Sequence, residues 1–159
     1  MPFIGIISNE ITENCIRRCI LEKLKLAESS VLFIKEKSIE NIKNIKFETI
    51  LVARSFENTE ILKKMLENST YVVINSDIEN NFELIEDLNA TVVTYGFNSK
   101  ATITASSVGD EEMMICLQRT IRNKNNENIE PQEIKVPIYE DASCTMAVTA
   151  ILTLYSSMK

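Results

Sequence analysis

Short apolar runs recur along the chain, and polar segments with helical periodicity separate them. Five runs rich in β-branched residues predict strands, and they cover residues 3–7, 31–34, 49–53, 71–75 and 91–95. Continuous apolar runs are typical of parallel strands that helices cover on both faces. Between them, Ile11, Cys15 and Cys19 recur at helical spacing, as do Ile61 and Met65. The pattern predicts an α/β fold with a mostly parallel sheet flanked by helices.

The pattern changes after Gly96. Residues 102–108 and 112–118 are joined by Gly109 and Asp110, a hairpin signal, and residues 133–138 follow as a third apolar segment. These segments predict a small antiparallel subsheet near residues 102–138. The Asn-rich segment 123–128 predicts an exposed tip between two of its strands. Residues 142–158 predict a final helix, and with no linker in sight we expect a single domain over residues 1–159.

Composition narrows the class of protein. The 159 residues are 45% hydrophobic and 25% charged, which is ordinary for a soluble globular chain. No apolar run approaches the roughly 20 residues that span a bilayer, and residues 1–4 lack a basic leader, so we expect a cytoplasmic protein without a membrane partner. The net charge of −6 disfavours nucleic acid as a partner.

The cysteines and the lack of histidine limit the chemistry. Cys15 and Cys19 lie four residues apart, and with Cys116 and Cys144 they are interpreted as reduced core residues. Metal binding by the Cys15 and Cys19 pair is the alternative, but no histidine or second close cysteine pair supports it, so no metal site is predicted. Without histidine, no Ser–His pair can activate a hydroxyl as a nucleophile.

Polar residues follow several predicted strands at their carboxyl ends, the edge where open α/β sheets bind ligands. The candidates for a small-ligand cleft are Ser8, Asn9, Thr12, Asn75, Asp77, Gly96 and Asn98. A simple turn and helix cap is the alternative role for Asn75 and Asp77. The candidates for an anion site are Lys100, Arg119 and Arg122. Solvated charges at strand edges are the alternative for these three.

One block of the sequence resembles a known family. Residues 73–77 read Val-Ile-Asn-Ser-Asp, a second strand ends in Thr94-Tyr95-Gly96, and residues 101–105 begin the antiparallel part. In order and spacing these segments resemble the central ATP-binding domain of the Mur ligases, the amide-forming enzymes of peptidoglycan precursor synthesis. That family carries a V-N-x-D-D turn, a strand ending in Gly and an antiparallel subsheet. The resemblance implies that residues 3–7 match its first strand, and that residues 134–138 with the last helix match its G-x-H-N-x-x-N-x-x-A-A region.

The chain departs from the family where ATP would bind. A phosphate loop needs glycines, a lysine and a Ser or Thr hydroxyl, whereas residues 8–14 read Ser-Asn-Glu-Ile-Thr-Glu-Asn. Glu10 and Glu13 would repel a triphosphate there. Glu140-Asp141 and Cys144 stand where the resemblance implies His-Asn and a second Asn, and the family's two substrate domains have no counterpart in these residues.

Resemblance and departures together predict a non-catalytic protein, a pseudoenzyme without a cofactor. It would bind a partner protein, a small ligand or further copies of itself. The alternative is a nucleotide-binding subunit or enzyme of a split amide ligase, for which ATP and Mg²⁺ would be expected. A nucleotide sensor that binds without hydrolysis is a third hypothesis.

Overall fold

The computed structural model describes residues 3–155, in which strands and helices alternate as far as residue 95 and five consecutive strands then precede the last helix. The strands are β1 (Ile4–Ile7), β2 (Val31–Phe33), β3 (Thr49–Val52), β4 (Tyr71–Asn75), β5 (Thr91–Tyr95), β6 (Ile103–Val108), β7 (Glu112–Leu117), β8 (Ile121–Arg122), β9 (Asn128–Ile129) and β10 (Gln132–Pro137). The α-helices are α1 (Glu10–Leu24), α2 (Ile39–Ile42), α3 (Thr59–Glu67), α4 (Asn81–Ile85) and α5 (Ala142–Tyr155).

Eight strands form one sheet in the order β10-β7-β6-β5-β4-β3-β1-β2. Strands β1 to β5 run parallel to one another. Strand β6 joins β5 in parallel at a single position, where Tyr95 pairs with Ile103. Strands β7 and β10 then extend the sheet in antiparallel pairing. The predicted α/β fold, with a mostly parallel sheet and an antiparallel portion within residues 102–138, is confirmed.

The helices cover the two faces of the parallel strands. Ile6 and Leu51 belong to the hydrophobic core that includes α1 and α5, whereas Ile50 and Val52 belong to a second core with α3 and α4. Neighbouring residues of a strand point to opposite faces, so a strand covered on both sides is apolar at every position. This arrangement explains the continuous apolar runs in the sequence.

Local backbone geometry changes two of the predicted elements. The sequence pattern of residues 82–88 predicts a short helix, but α4 ends at Ile85, because Glu86 is extended and Asp87 has a φ of 60°. The expectation of an exposed tip over residues 123–128 is wrong at Asn123, which is 2% exposed. Its side-chain oxygen accepts the backbone N–H groups of Asn125 and Glu127, at 2.9 and 3.0 Å, and thereby closes a hairpin between β8 and β9.

The cysteines are free thiols, as expected. Cys15, Cys19 and Cys144 are buried in the core that α1 and α5 share, and Cys116 on β7 is half-buried. The prediction that Cys15 and Cys19 are core residues is confirmed. None of the helices within residues 3–155 combines the length and the apolar character needed to cross a bilayer.

Candidate functional site

The turn between β1 and α1 consists of only Ser8 and Asn9. Asn9 is the N-cap of α1, and its side-chain oxygen accepts both the backbone N–H and the hydroxyl of Thr12, each at 2.9 Å. The hydroxyls of Ser8 and Thr12 are also hydrogen-bonded to each other, at 2.7 Å, and both residues are buried. The three candidates at this turn therefore form one closed set of hydrogen bonds.

The charge at this turn differs from the expectation. The carboxylate of Glu13 forms an ion pair with Lys35 at 2.5 Å, and only 10% of the Glu13 side chain is exposed. Lys35 follows β2, the strand next to β1, so the sheet order brings it to the turn. Glu13 is therefore not the free repelling charge that the sequence argument assumed, because a long-range contact compensates it. Glu10 stays exposed at the start of α1.

The N-terminus of α5 lies beside that of α1. Asp141 caps α5: its carboxylate accepts the backbone N–H of Cys144 at 2.7 Å, and its carbonyl accepts that of Thr145 at 3.1 Å. Between the two helix starts is a cavity of about 60 Å³, lined by polar groups of both turns, among them Ser8, Thr12 and Asp141. Parallel strands of the order β2-β1-β3 place such a crevice at the topological switch point, beyond the carboxyl end of β1.

Tyr95 also lines this cavity, and the sequence analysis did not select it as a candidate. The residue is fully buried, and its hydroxyl has no hydrogen-bond partner within the described residues. Burial raises the pKa of Tyr95 far above its usual range, and the nearby Cys144 and Asp141 add to the effect. The phenol therefore keeps its proton, and its hydroxyl is a hydrogen-bond donor without a partner among the described residues. The sequence signal was a polar-tipped side chain at the end of a buried strand.

The size of the cavity limits what it can hold. Sites for drug-sized ligands have volumes of about 300–1,000 Å³, and a water molecule in the liquid takes about 30 Å³. At about 60 Å³ the cavity accommodates water or a ligand of a few atoms. A nucleoside triphosphate does not fit inside it.

The other four cleft candidates meet at a second place along the same edge. The carboxylate of Asp77 accepts the backbone N–H of Phe97 at 2.7 Å and the backbone and side-chain N–H groups of Asn98 at 3.1 and 2.7 Å. The side-chain oxygen of Asn75 accepts the N–H of Asp77 at 2.9 Å. We call Asp77, Gly96, Phe97 and Asn98 the loop clamp, because they tie the loop after β4 to the loop after β5.

Gly96 is required for this close approach. A Cβ atom at this position would lie 2.6 Å from a carboxylate oxygen of Asp77, and the φ angle is +155°. Partial loss of water around the exposed carboxylate would by itself raise the pKa of Asp77, but the hydrogen bonds from Asn98 and Phe97 outweigh it, so the pKa lies below its ordinary value. The contacts of Asn75 and Asp77 are those of a turn, while the N-cap position of α4 is taken by Asn80.

The three cationic candidates do not form a common site. Arg119 donates to the hydroxyl of Thr102 at 3.1 Å, and Arg122 donates to the side chain of Asn126 at 3.4 Å. Lys100 is exposed in the loop between β5 and β6. Among residues 3–155, no two of these cations share a hydrogen-bond or ion-pair partner.

Sequence comparisons do not extend this description. A scan against models of known protein families finds no match to the chain, and no curated protein matches it either. The likeness to the Mur ligase central domain therefore rests on the residues quoted above, and the site is interpreted from its own geometry.

Proposed function

We propose that this protein acts by binding, without ATP-dependent catalysis, on a frame similar to the central domain of the Mur ligases and in the cytoplasm. One observation carries the proposal: the turn between β1 and α1 has two residues, and its polar groups bond to one another. In a phosphate loop the backbone N–H groups stay free to surround the phosphates. Here Asn9 already occupies the N–H of Thr12.

Rearranging this turn for a phosphate would be unfavourable. Loss of an Asn N-cap costs about 0.5–2 kcal/mol, which matches or exceeds the 0.3–1 kcal/mol that a charge typically gains at a helix start. The ammonium group of Lys35, which contacts the first turn of α1, is already paired with Glu13. The exposed carboxylate of Glu10 adds repulsion at the same place. The turn is thus built to stabilise α1 rather than to hold a triphosphate.

Exposed apolar side chains at the same edge support a protein partner. Ile11, Phe82 and Phe97 are 78%, 53% and 56% exposed, and each follows a parallel strand on its carboxyl side. Contiguous apolar patches mark surfaces that another molecule covers, and the strand order brings these three side chains to one edge of the sheet. The small cavity beside Tyr95 adds room for a ligand of a few atoms at this edge.

The proposal is tested by titrating the purified protein with Mg-ATP, ADP and UDP-sugars in calorimetry and thermal-shift experiments. A ligand present at 100 times its dissociation constant stabilises a protein by about 2.7 kcal/mol, which raises the Tm of a chain of this length by several degrees. We expect no shift with any of these ligands, while a P-loop ATPase in the same experiment shows one.

A Tm increase of several degrees with Mg-ATP would contradict the proposal and favour the split-ligase subunit. The variant Thr12→Val then locates the site, because it removes the hydroxyl but keeps the shape of the side chain. Loss of the increase in this variant would place the nucleotide at the β1–α1 turn.

A further inference from the structure

The sheet has two edges of unequal length. Strand β2 ends one side with three residues, and β10 ends the other with six. No strand of residues 3–155 lies beyond β10. An edge strand presents unpaired N–H and C=O groups that can pair with another chain. Strand β10 is therefore the edge that offers more backbone groups to a second chain.

The pairing of β10 with β7 shows which groups face outward. Ile138 donates its N–H to the carbonyl of Glu111 at 2.9 Å, and the antiparallel register continues this pairing along β10. Alternate residues therefore direct their backbone groups toward β7, namely Gln132, Ile134 and Val136. The residues between them, Glu133 and Lys135, direct their N–H and C=O groups away from the sheet, and both are exposed.

We propose that β10 is a self-association strand, which pairs antiparallel with β10 of a second copy about a two-fold axis through Ile134. In this register Glu133 lies opposite Lys135 of the second copy, and Lys135 lies opposite its Glu133. Within each pair, the two residues direct their free N–H and C=O groups at each other, so each pair forms two hydrogen bonds. The opposite charges face each other across the strands, which is the favourable arrangement for directly opposed residues.

Neighbouring registers are disfavoured by charge. Two residues can form a hydrogen-bonded pair across the interface only when the backbone groups of both point away from β7. A shifted register must therefore again pair Glu133 and Lys135 with outward-facing residues of the second copy. Shifting the axis to Glu133 places two glutamates opposite each other, and shifting it to Lys135 places two lysines opposite each other. Directly opposed like charges are destabilising. The charge order of the strand therefore selects the axis at Ile134.

Prolines limit the length of the paired segment. Pro131 and Pro137 stand three residues on either side of Ile134, so the same axis places each proline opposite the other proline of the second copy. Neither has an N–H to donate. Pairing is therefore confined to residues 132–136, and the association closes at two copies, since a two-fold axis uses the same edge of both.

Contacts on the inner side add to the pairing. Ile134 is half-buried and packs against the core that includes α5. On the axis it would meet Ile134 of the second copy in a non-hydrogen-bonded pair, where side chains come closest. A single-strand interface is small, so we expect a dissociation constant on the order of 10–1,000 µM. This inference goes beyond the proposed function, because it uses none of the residues around the cavity or the nucleotide experiment.

Charge reversal tests the register. Sedimentation equilibrium is measured on the wild type, Glu133→Lys, Lys135→Glu and the double variant at protein concentrations up to about 1 mM, the upper limit of the expected affinity. We expect each single variant to weaken dimerisation about tenfold or more, because it creates two like-charge pairs. The double variant restores opposite charges and should dimerise as the wild type does. A wild type that stays monomeric, or a double variant as weak as the single ones, would overturn the proposal.

A second measurement does not depend on charge. Hydrogen exchange at low and high protein concentration should protect the amides of Glu133 and Lys135 only at high concentration. The variant Lys135→Pro removes an outward N–H that β7 does not use, and we expect it to abolish dimerisation. Circular dichroism checks that it stays folded. Fast exchange of both amides at every concentration would also overturn the proposal, whatever the nucleotide titration shows.

Discussion

The loop clamp makes a quantitative prediction about Gly96. In Gly96→Ala the new Cβ would meet Asp77 atoms at 2.6–2.8 Å, so the carboxylate must swing away and lose its hydrogen bonds from Phe97 and Asn98. Because Asp77 is exposed, water replaces part of each hydrogen bond that is lost. We therefore assign each of the three bonds a low contribution to stability, about 0.5–1 kcal/mol. The expected loss is about 2 kcal/mol in the free energy of unfolding.

A double-mutant cycle isolates this cause. Asp77→Ala removes the three atoms that the new Cβ would approach most closely, so Gly96→Ala should cost much less in that background, apart from the strain of an alanine at this φ angle. We expect a coupling energy of about 1–2 kcal/mol. Urea denaturation followed by circular dichroism measures the four free energies of unfolding, and each kcal/mol corresponds to about 2–4 °C in Tm for a chain of this length.

The control is Gly109, in the hairpin between β6 and β7. In Gly109→Ala the new Cβ would lie 3.1 Å from the carbonyl oxygen of Glu112. Gly109 belongs to a different turn from the loop clamp. Its effect should add to that of Asp77→Ala within about 0.3–0.5 kcal/mol. The reasoning fails if Gly96→Ala and Asp77→Ala are equally additive, because the clash with the carboxylate would then not be the cause of the loss.

Three further predictions concern single groups. Asn9→Ala should lower the free energy of unfolding by about 0.5–2 kcal/mol, whereas Asn9→Asp, which keeps the accepting oxygen, should lose little, as chemical denaturation will show. The pKa of Asp77 is lower in the folded than in the unfolded protein. The ionised carboxylate therefore adds to the free energy of unfolding above the unfolded pKa of about 3.9, and this contribution is lost as the pH falls through the folded pKa. The stability difference between the wild type and Asp77→Asn should therefore shrink between pH 6 and pH 2, and a constant difference would contradict the shift. Tyr95→Phe should leave the Tm unchanged or raise it, because the hydroxyl has no partner within residues 3–155; a loss above about 1.5 kcal/mol would show that the hydroxyl bonds to ordered water.

The strands of the parallel sheet could be predicted from the sequence because their signal is local. Strands β4 and β5 begin and end where the apolar runs predicted. Each run is apolar on both faces, and this property is visible without knowledge of the neighbouring strands. The N-cap at Asn9 was predictable for the same reason, since a cap depends on residues within one turn.

Parts of the site could not be predicted in this way. The ion pair between Glu13 and Lys35 joins residues on different elements, and the burial of Asn123 depends on the hairpin that it closes. Tyr95 belongs to the cavity only because α5 returns to pack beside α1. Propensity and periodicity do not report such contacts, because they describe neighbours along the chain.

By itself the sequence determined which segments are strands and helices, that the sheet is mostly parallel, and that the turn after β1 lacks the residues of a phosphate loop. The tertiary structure alone decided which polar groups remain free: those of Asn9, Thr12 and Asp77 bond within the protein, while the Tyr95 hydroxyl and the outward edge of β10 find no partner within residues 3–155. The physical reason is that a hydrogen-bonding group is available to a ligand or partner only when no nearby group satisfies it, and nearness in space is set by packing.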